Sequence, residues 1–440
     1  MRSSDRLSSN SAVCTVDSLH REALNRCGEN MPETEEAQAS KVATGRFLAL
    51  GLFATAVSFA CVVIPMFVIR PFRPQGEREL DLALAVRHVG PWLAGLCVAV
   101  LLVLTVRVWK VGRLGSRIAL TGLLLLAAVS AILTNVNIFE KMFHPYDAPS
   151  FTEAAKAAVD ADDKVLAVKV GQEARAYPIR TMGYHHIVND TVGGMPIAVT
   201  YCTLCHTGLV WSRVVKGKVL RFRLAGINNG NALLRDEQSG SIWQQSTGEA
   251  IFGPLRGTQL KVVRSDELSF ALWRSEQPQG QVLSPDLTYV SEYDPKDWES
   301  HVARTRAVVD TTKSGIAPHQ LMVGISVAGE NKAYPIEAIL AAKLIQDRVG
   351  GLPVLVLVGP DGASVRVFEA AVKGRGGALT FAAGSGDEVM SDAQTGSTWN
   401  FQGCAVKGEL AGRCLEEIDS HKDYWFDWMN HHPESGVFKS

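Results

Sequence analysis

The chain has no surplus of basic residues: 44 Lys and Arg face 45 Asp and Glu, for a formal net charge of −1. A nucleic-acid footprint needs clustered positive charge, so nucleic acid is not an expected partner. Charge of either sign is scarce, at 20% of 440 residues, while apolar side chains reach 47%. A soluble enzyme of this length would carry more charge, so the apolar excess must be concentrated somewhere. Cysteine is sparse too. Eight residues cannot knit a chain this long into a disulfide scaffold, so their positions matter more than their number. The sequence contains no phosphate-cradling glycine loop, dinucleotide fingerprint or serine nucleophile elbow.

The apolar excess lies in three runs, Phe47 to Ile69, Val89 to Val106 and Ile118 to Ile138, none of which holds an ionisable side chain. Each is long enough to cross a hydrocarbon core as a helix. Trp92 and Trp109 stand near the two ends of the second, where interfacial indoles settle. A transporter or proton relay needs a titratable group facing the bundle interior, so the three helices read as an anchor over 47–138. Ahead of them a polar stretch, 1–46, has no hydrophobic periodicity and reads as a disordered tail. Its length sets the first helix too deep for a cleavable signal peptide, so that helix should stay attached. The loop Arg107 to Arg117 holds four basic residues and no acid, which favours the cytoplasm. The amino terminus is then cytoplasmic and everything after Ile138 lies outside a bacterial inner membrane or plasma membrane. Arg70, Arg73, Arg78 and Arg87 in the first loop oppose that orientation.

From about Ser150 the composition is that of a strand-rich domain containing an internal repeat. Ala176-Tyr177-Pro178-Ile179 recurs as Ala333-Tyr334-Pro335-Ile336, and Asp190-Thr191-Val192-Gly193-Gly194 as Asp347-Arg348-Val349-Gly350-Gly351, at one constant offset. Ser239 to Trp243 matches Thr395 to Trp399, and Phe270 to Gln277 resembles Trp425 to His432. Val165 to Val170, Ile197 to Tyr201, Leu209 to Val215 and Val219 to Leu224 read as strands. Leu233 to Gln245 reads as a hairpin turning at Ser239-Gly240, and Asp266 to Ser275 as a helix with an acidic start. The expected fold is therefore a membrane-anchored α+β protein: three transmembrane helices, then a β-rich ectodomain of two related repeats, 150–285 and 286–440.

The copies differ where chemistry is expected. His185, His186, Cys202, Cys205 and His206 fall opposite Ala342, Lys343, Gly359, Gly362 and Ala363, so the second copy lacks every soft or titratable member of the set. That asymmetry points to one site, in the first copy. Cys202-Thr203-Leu204-Cys205-His206 admits four readings. It is the attachment signature of c-type haem, with His206 as axial ligand, although no second axial ligand is evident. The thiols with His206, His185 and His186 could bind zinc or copper. The pair could cycle between dithiol and disulfide, with His206 lowering a thiol pKa. Or it is a structural staple, in a non-enzymatic binding module. Glu249 has no carboxylate in the second copy and is a weaker candidate for an acid, base or ligand. Cys404 and Cys414 flank a short glycine-containing segment and should pair in an oxidising compartment. Cys61 and Cys97 read as packing residues in membrane helices, and Cys14 and Cys27 as reduced thiols in the tail. The Asn228, Asn229, Asn231 cluster reads as a turn, and His431-His432 as a solvated pair after the last helix.

Tyr184-His185-His186, Val199-Thr200-Tyr201-Cys202-Thr203-Leu204-Cys205, Trp243-Gln244-Gln245-Ser246-Thr247-Gly248-Glu249-Ala250 and Gly253-Pro254-Leu255-Arg256-Gly257 resemble the bacterial family known as domain of unknown function 3179. The resemblance runs from about Asp147 to the carboxyl end and leaves out the membrane helices. It implies a secreted or membrane-attached location and brings no reaction with it. It also implies that the Cys-x-x-Cys pair belongs to the family pattern. Relatives carry Gly, Asn or Arg where His206 stands, which makes the haem signature incidental. A His is common where this chain has Asn229.

Overall fold

The computed structural model describes residues 33–311, 314–386 and 388–439. The amino-terminal tail to residue 32, with Cys14 and Cys27, lies outside the described residues. The three apolar runs form the helices α1 (Glu33–Val68), α2 (Glu77–Val111) and α3 (Leu114–Leu133). All three are long and apolar enough to cross a membrane. They share a core of Ala54, Cys97, Leu101, Leu104, Leu120 and Ala127. Polar side chains inside it find backbone partners: Ser58 Oγ donates to the Ala127 carbonyl at 3.2 Å, and Thr55 Oγ1 to Gly51 at 2.9 Å. In an apolar medium such bonds spare the hydroxyls a desolvation cost.

The chain divides into two compact units, and the connector Phe67–Leu84 belongs to the second, with Asn137–Ser440. Val68, Ile69, Leu80 and Leu84 share a cluster with Ala225, Leu233 and Ile242. Asn229 closes the contact. Its side chain accepts from Gln75 N at 2.8 Å and donates to the Gln75 carbonyl at 3.1 Å, while Gln75 Oε1 accepts from Asn229 N at 2.6 Å.

The second unit is a series of small sheets, antiparallel except where Gln281–Leu283 and Gly436–Val437 pair parallel with their neighbours. The hairpin Lys164–Val170 with Glu173–Pro178 is flanked by Ser265–Ser269 and Gln281–Leu283. Next come Ile187–Val192, Met195–Cys202 and Thr207–Ser212 in one sheet, and four strands between Phe222 and Phe252 in another. A further series then runs in the same order. Leu321–Val327 with Glu330–Pro335 is flanked by Ser420–Tyr424 and Gly436–Val437; a three-stranded sheet spans Leu344 to Glu369, and a four-stranded one Phe381 to Lys407. Matching residues make matching bonds. Tyr177 and Tyr334 donate their hydroxyls to Asp190 and Asp347, at 2.5 and 3.0 Å. Trp243 and Trp399 donate Nε1 to Asp236 and Asp392, at 2.9 and 3.0 Å. A buried indole or phenol needs an acceptor, which accounts for the retained Tyr, Asp and Trp.

Short helices Ile179–His185 and Ile336–Ala342 follow the first hairpin of each series, without a helix signal in the local pattern. The helix expected over Asp266 to Ser275 is instead a strand, Ser265–Ser269, and a helix, Phe270–Glu276. The strand wins because Ser265 to Ser269 pair antiparallel with Val168 to Lys164, and Ser269 Oγ then caps the helix by accepting from Leu272 N. Cys404 and Cys414 form the expected disulfide.

The two strand-helix endings cross over. Phe270, Leu272 and Trp273 share a core with Leu355, Leu357, Phe368 and Trp399 of the later series. Tyr424 and Phe426 of the later series share one with Cys202, Cys205, Leu209 and Trp243. This exchange builds the site.

Candidate functional site

Strands Met195–Cys202 and Thr207–Ser212 form a hairpin whose last pair is Cys202 with Thr207. The turn is Thr203 to His206, so the strand expected from Leu209 begins at Thr207. It leaves Cys202 as the final strand residue and Cys205 inside the turn, and the thiols are 2% and 0% exposed. The Cys205 carbonyl accepts from Tyr424 N at 2.9 Å, which fastens the turn to the strand Ser420–Tyr424.

That strand and the helix after it, Trp425–His431, bring in Asp423 and Asp427, 1% and 0% exposed. A sulfur of Cys205 and one oxygen each of Asp423 and Asp427 all lie within 4.8 Å of one another. Cys202 Sγ lies beside them and donates to the Gly230 carbonyl at 3.5 Å. Asn231 Nδ2 lies between Cys205 Sγ at 3.1 Å, Asp427 Oδ2 at 3.0 Å and Gln245 Oε1 at 2.8 Å. The amide is held in turn by Gln244 Nε2 and Ser246 N, which donate to its oxygen at 2.5 and 3.0 Å. Ser246 Oγ donates to Asp427 Oδ2 and Thr207 Oγ1 to Asp423 Oδ1, each at 2.8 Å.

The remaining Asp427 oxygen, Oδ1, is buried without a hydrogen-bond partner; His431 Nε2 stands 3.6 Å from it. Asp423 has no ion-pair partner among the described residues. Burial, then the neighbouring Asp427, pushes Asp423 well above the usual carboxylate range. Burial, then the Cys202 thiol and Asp427, pushes Cys205 up as well. Two thiols and two carboxyl groups thus sit buried together, hydrogen-bonded by amides and hydroxyls, with the His431 ring at the edge. Such a set is protonated or holds a cation, because an uncompensated buried charge costs several kcal/mol.

The structure separates the histidines from the thiols. His185 Nδ1 bonds to the His144 carbonyl at 2.6 Å and Nε2 to Tyr293 at 3.1 Å, within an aromatic group that includes Tyr146, Tyr184 and Tyr289. His186 is buried against Phe143, and burial holds it down at about 4. His206 is 0% exposed with both ring nitrogens engaged, Nε2 by Glu299 at 2.5 Å and Nδ1 by Tyr201 at 3.2 Å. Burial acts to raise Glu299, but the His206 bond and the Lys164 charge overcome it and hold Glu299 at about 2. His206 therefore has no free nitrogen for a haem iron. Glu249 is exposed, in an isolated antiparallel bridge to Gln259, outside the pocket. Asn229 is turned toward Gln75. Among the described residues, no group of three or more candidate ligands includes a histidine; the other such group, Asp160, Asp162 and Asp163, has exposed members, two of them paired with Lys296.

A family model described as a protein of unknown function (DUF3179) matches residues 143–435. No curated protein and no solved structure matches the chain.

Proposed function

We propose, from the premise that the chain belongs to the DUF3179 family, that it is a membrane-anchored, extracytoplasmic metal-binding protein. Its ion sits between Cys205, Asp423 and Asp427, with Cys202 as the fourth donor. The observation that carries the reading is the buried Asp427 Oδ1, without a hydrogen-bond partner, inside a cluster of acids and thiols. Thiolates with carboxylate oxygens fit zinc, which accepts both; copper(I) favours sulfur alone, and magnesium or calcium oxygen alone.

Dithiol–disulfide exchange fits less well. The attacking species is an accessible thiolate, whereas both thiols are buried and Cys205 is pushed up.

Two further elements belong to the proposal. The β-rich region is a duplicated unit, supported by the constant sequence offset, the matched Tyr–Asp and Trp–Asp bonds and the crossed helices. The side is extracytoplasmic, supported by the acid-free basic loop Arg107 to Arg117 between α2 and α3. Three crossings put the α1–α2 connector on the same side as the carboxyl-terminal region, and those two segments share one compact unit.

The test is the metal content of the full chain purified in detergent and dialysed against zinc. One equivalent is expected, falling to none in Cys205→Ser and in an Asp423→Asn, Asp427→Asn double variant. Zinc retained at one equivalent by the double variant would refute the assignment.

A further inference from the structure

We infer that His431 and His432 form a waiting station through which a zinc ion reaches the buried site. The inference rests on the metal-site reading above and adds the route to it. Asp427 and Cys205 are 0% exposed, so a hydrated ion needs a stepwise path that trades water for protein donors. The helix Trp425–His431 supplies one. His431 follows Asp427 by one turn, on the same face, and its Nε2 is 3.6 Å from Oδ1, the oxygen without a hydrogen-bond partner. The side chain of His431 is 11% exposed while that of Asp427 is at 0%, so the pair spans the step from solvent to interior.

His432 continues the route outward. Its ring lies against Trp428 at 4.2 Å, and Pro433 and Glu434 beyond it are exposed. Imidazole is a ready ligand for a borderline cation such as zinc. His431 is placed to receive the ion and pass it on, not to keep it: the mutually close set is Cys205, Asp423 and Asp427, and His431 is outside it. Arrival displaces the protons of Cys205 and Asp423, which leave as the ligands close on the metal.

The experiment uses the full chain in detergent micelles, with zinc delivered from a fluorescent chelator in a stopped-flow instrument and affinity measured separately by chelator competition. His431→Ala should slow loading on the order of tenfold while leaving the equilibrium affinity within about a factor of three. His432→Ala should slow it less, and His431→Glu, which restores a donor, should recover most of the rate. An unchanged loading rate in His431→Ala would overturn the inference. So would an affinity that falls as steeply as the rate, which would make His431 a permanent ligand. Wild-type protein that takes up no zinc would defeat the site as well as the route, and so is distinct from either result.

Discussion

Asp427 uses one carboxylate oxygen for Asn231 and Ser246, while the other is buried without a hydrogen bond, 3.6 Å from His431 Nε2. Asp427→Asn keeps the shape and removes an acid that apo protein must hold at a cost. The apo variant should melt no lower than wild type, whereas the upward shift that zinc gives wild type should vanish. At a hundredfold excess over the dissociation constant that shift corresponds to about 2.7 kcal/mol. Thermal melts with and without zinc decide it; a variant that keeps the shift counts against Asp427 as a ligand. A titration belongs to Glu417. Burial, then the adjacent Asp266, pushes it up to about 8 from an ordinary 4.5. Its folded value lies above its unfolded one, so its stabilisation is complete below about 4.5 and lost as pH rises through about 8. Glu417→Gln should flatten the fall in stability between these limits, read from melts at several pH values. A wild-type curve already flat there would contradict the assignment.

At the scale of elements, the helix Trp425–His431 determines whether the site exists, and Gly324 determines how that helix is seated. A Cβ on Gly324 would lie 2.0 Å from Cζ3 of Trp428, the residue after Asp427. Gly324→Ala should force the indole and its helix outward, at about 1–3 kcal/mol, and should weaken zinc binding although position 324 offers no ligand. Gly376→Ala, with nothing within 4 Å, is the control and should change neither. The crossed helices also explain what the sequence concealed. Cys202 and Cys205 stand out because their counterparts are Gly359 and Gly362. Asp423 and Asp427 are marked just as clearly, since the matched endings place them opposite Leu268 and Leu272. The thiols stand only in the earlier segment and the acids only in the later, so what the later segment lacks does not disclose the acids. His185 and His186 share the ligand type, but spacing along a chain carries no information about an exchange between series. The helix Ile179–His185 and a tertiary strand pairing at Ser265–Ser269 were likewise beyond local pattern, whereas the three apolar helices and the Cys404–Cys414 pair were legible from length and spacing.

For the whole molecule, three helices long enough to cross a membrane would put the two ends on opposite sides of it. On the proposed topology a phosphatase that folds only outside the cytoplasm is active when fused after Ser440, and a fluorescent protein that matures only inside is bright when fused before Met1. The reverse pattern would invert the protein and place the Cys404–Cys414 disulfide in a reducing compartment, where such bonds are rare. One junction between the two series is polar, with Cys202 and Cys205 close to Asp423 and Asp427, and the other is apolar, with Leu272 in one core with Leu355 and Leu357. On the proposed reading the ion is confined to the polar junction.

The most direct measurement is X-ray absorption at the zinc edge on the full-length protein in detergent. The predicted shell is mixed, with sulfur at about 2.3 Å and oxygen at about 2.0–2.2 Å, and with the oxygen contribution lost in the Asp423→Asn, Asp427→Asn double variant. A shell of sulfur and imidazole, or one the double variant leaves unchanged, would contradict a site shared between the Cys hairpin and the final helix.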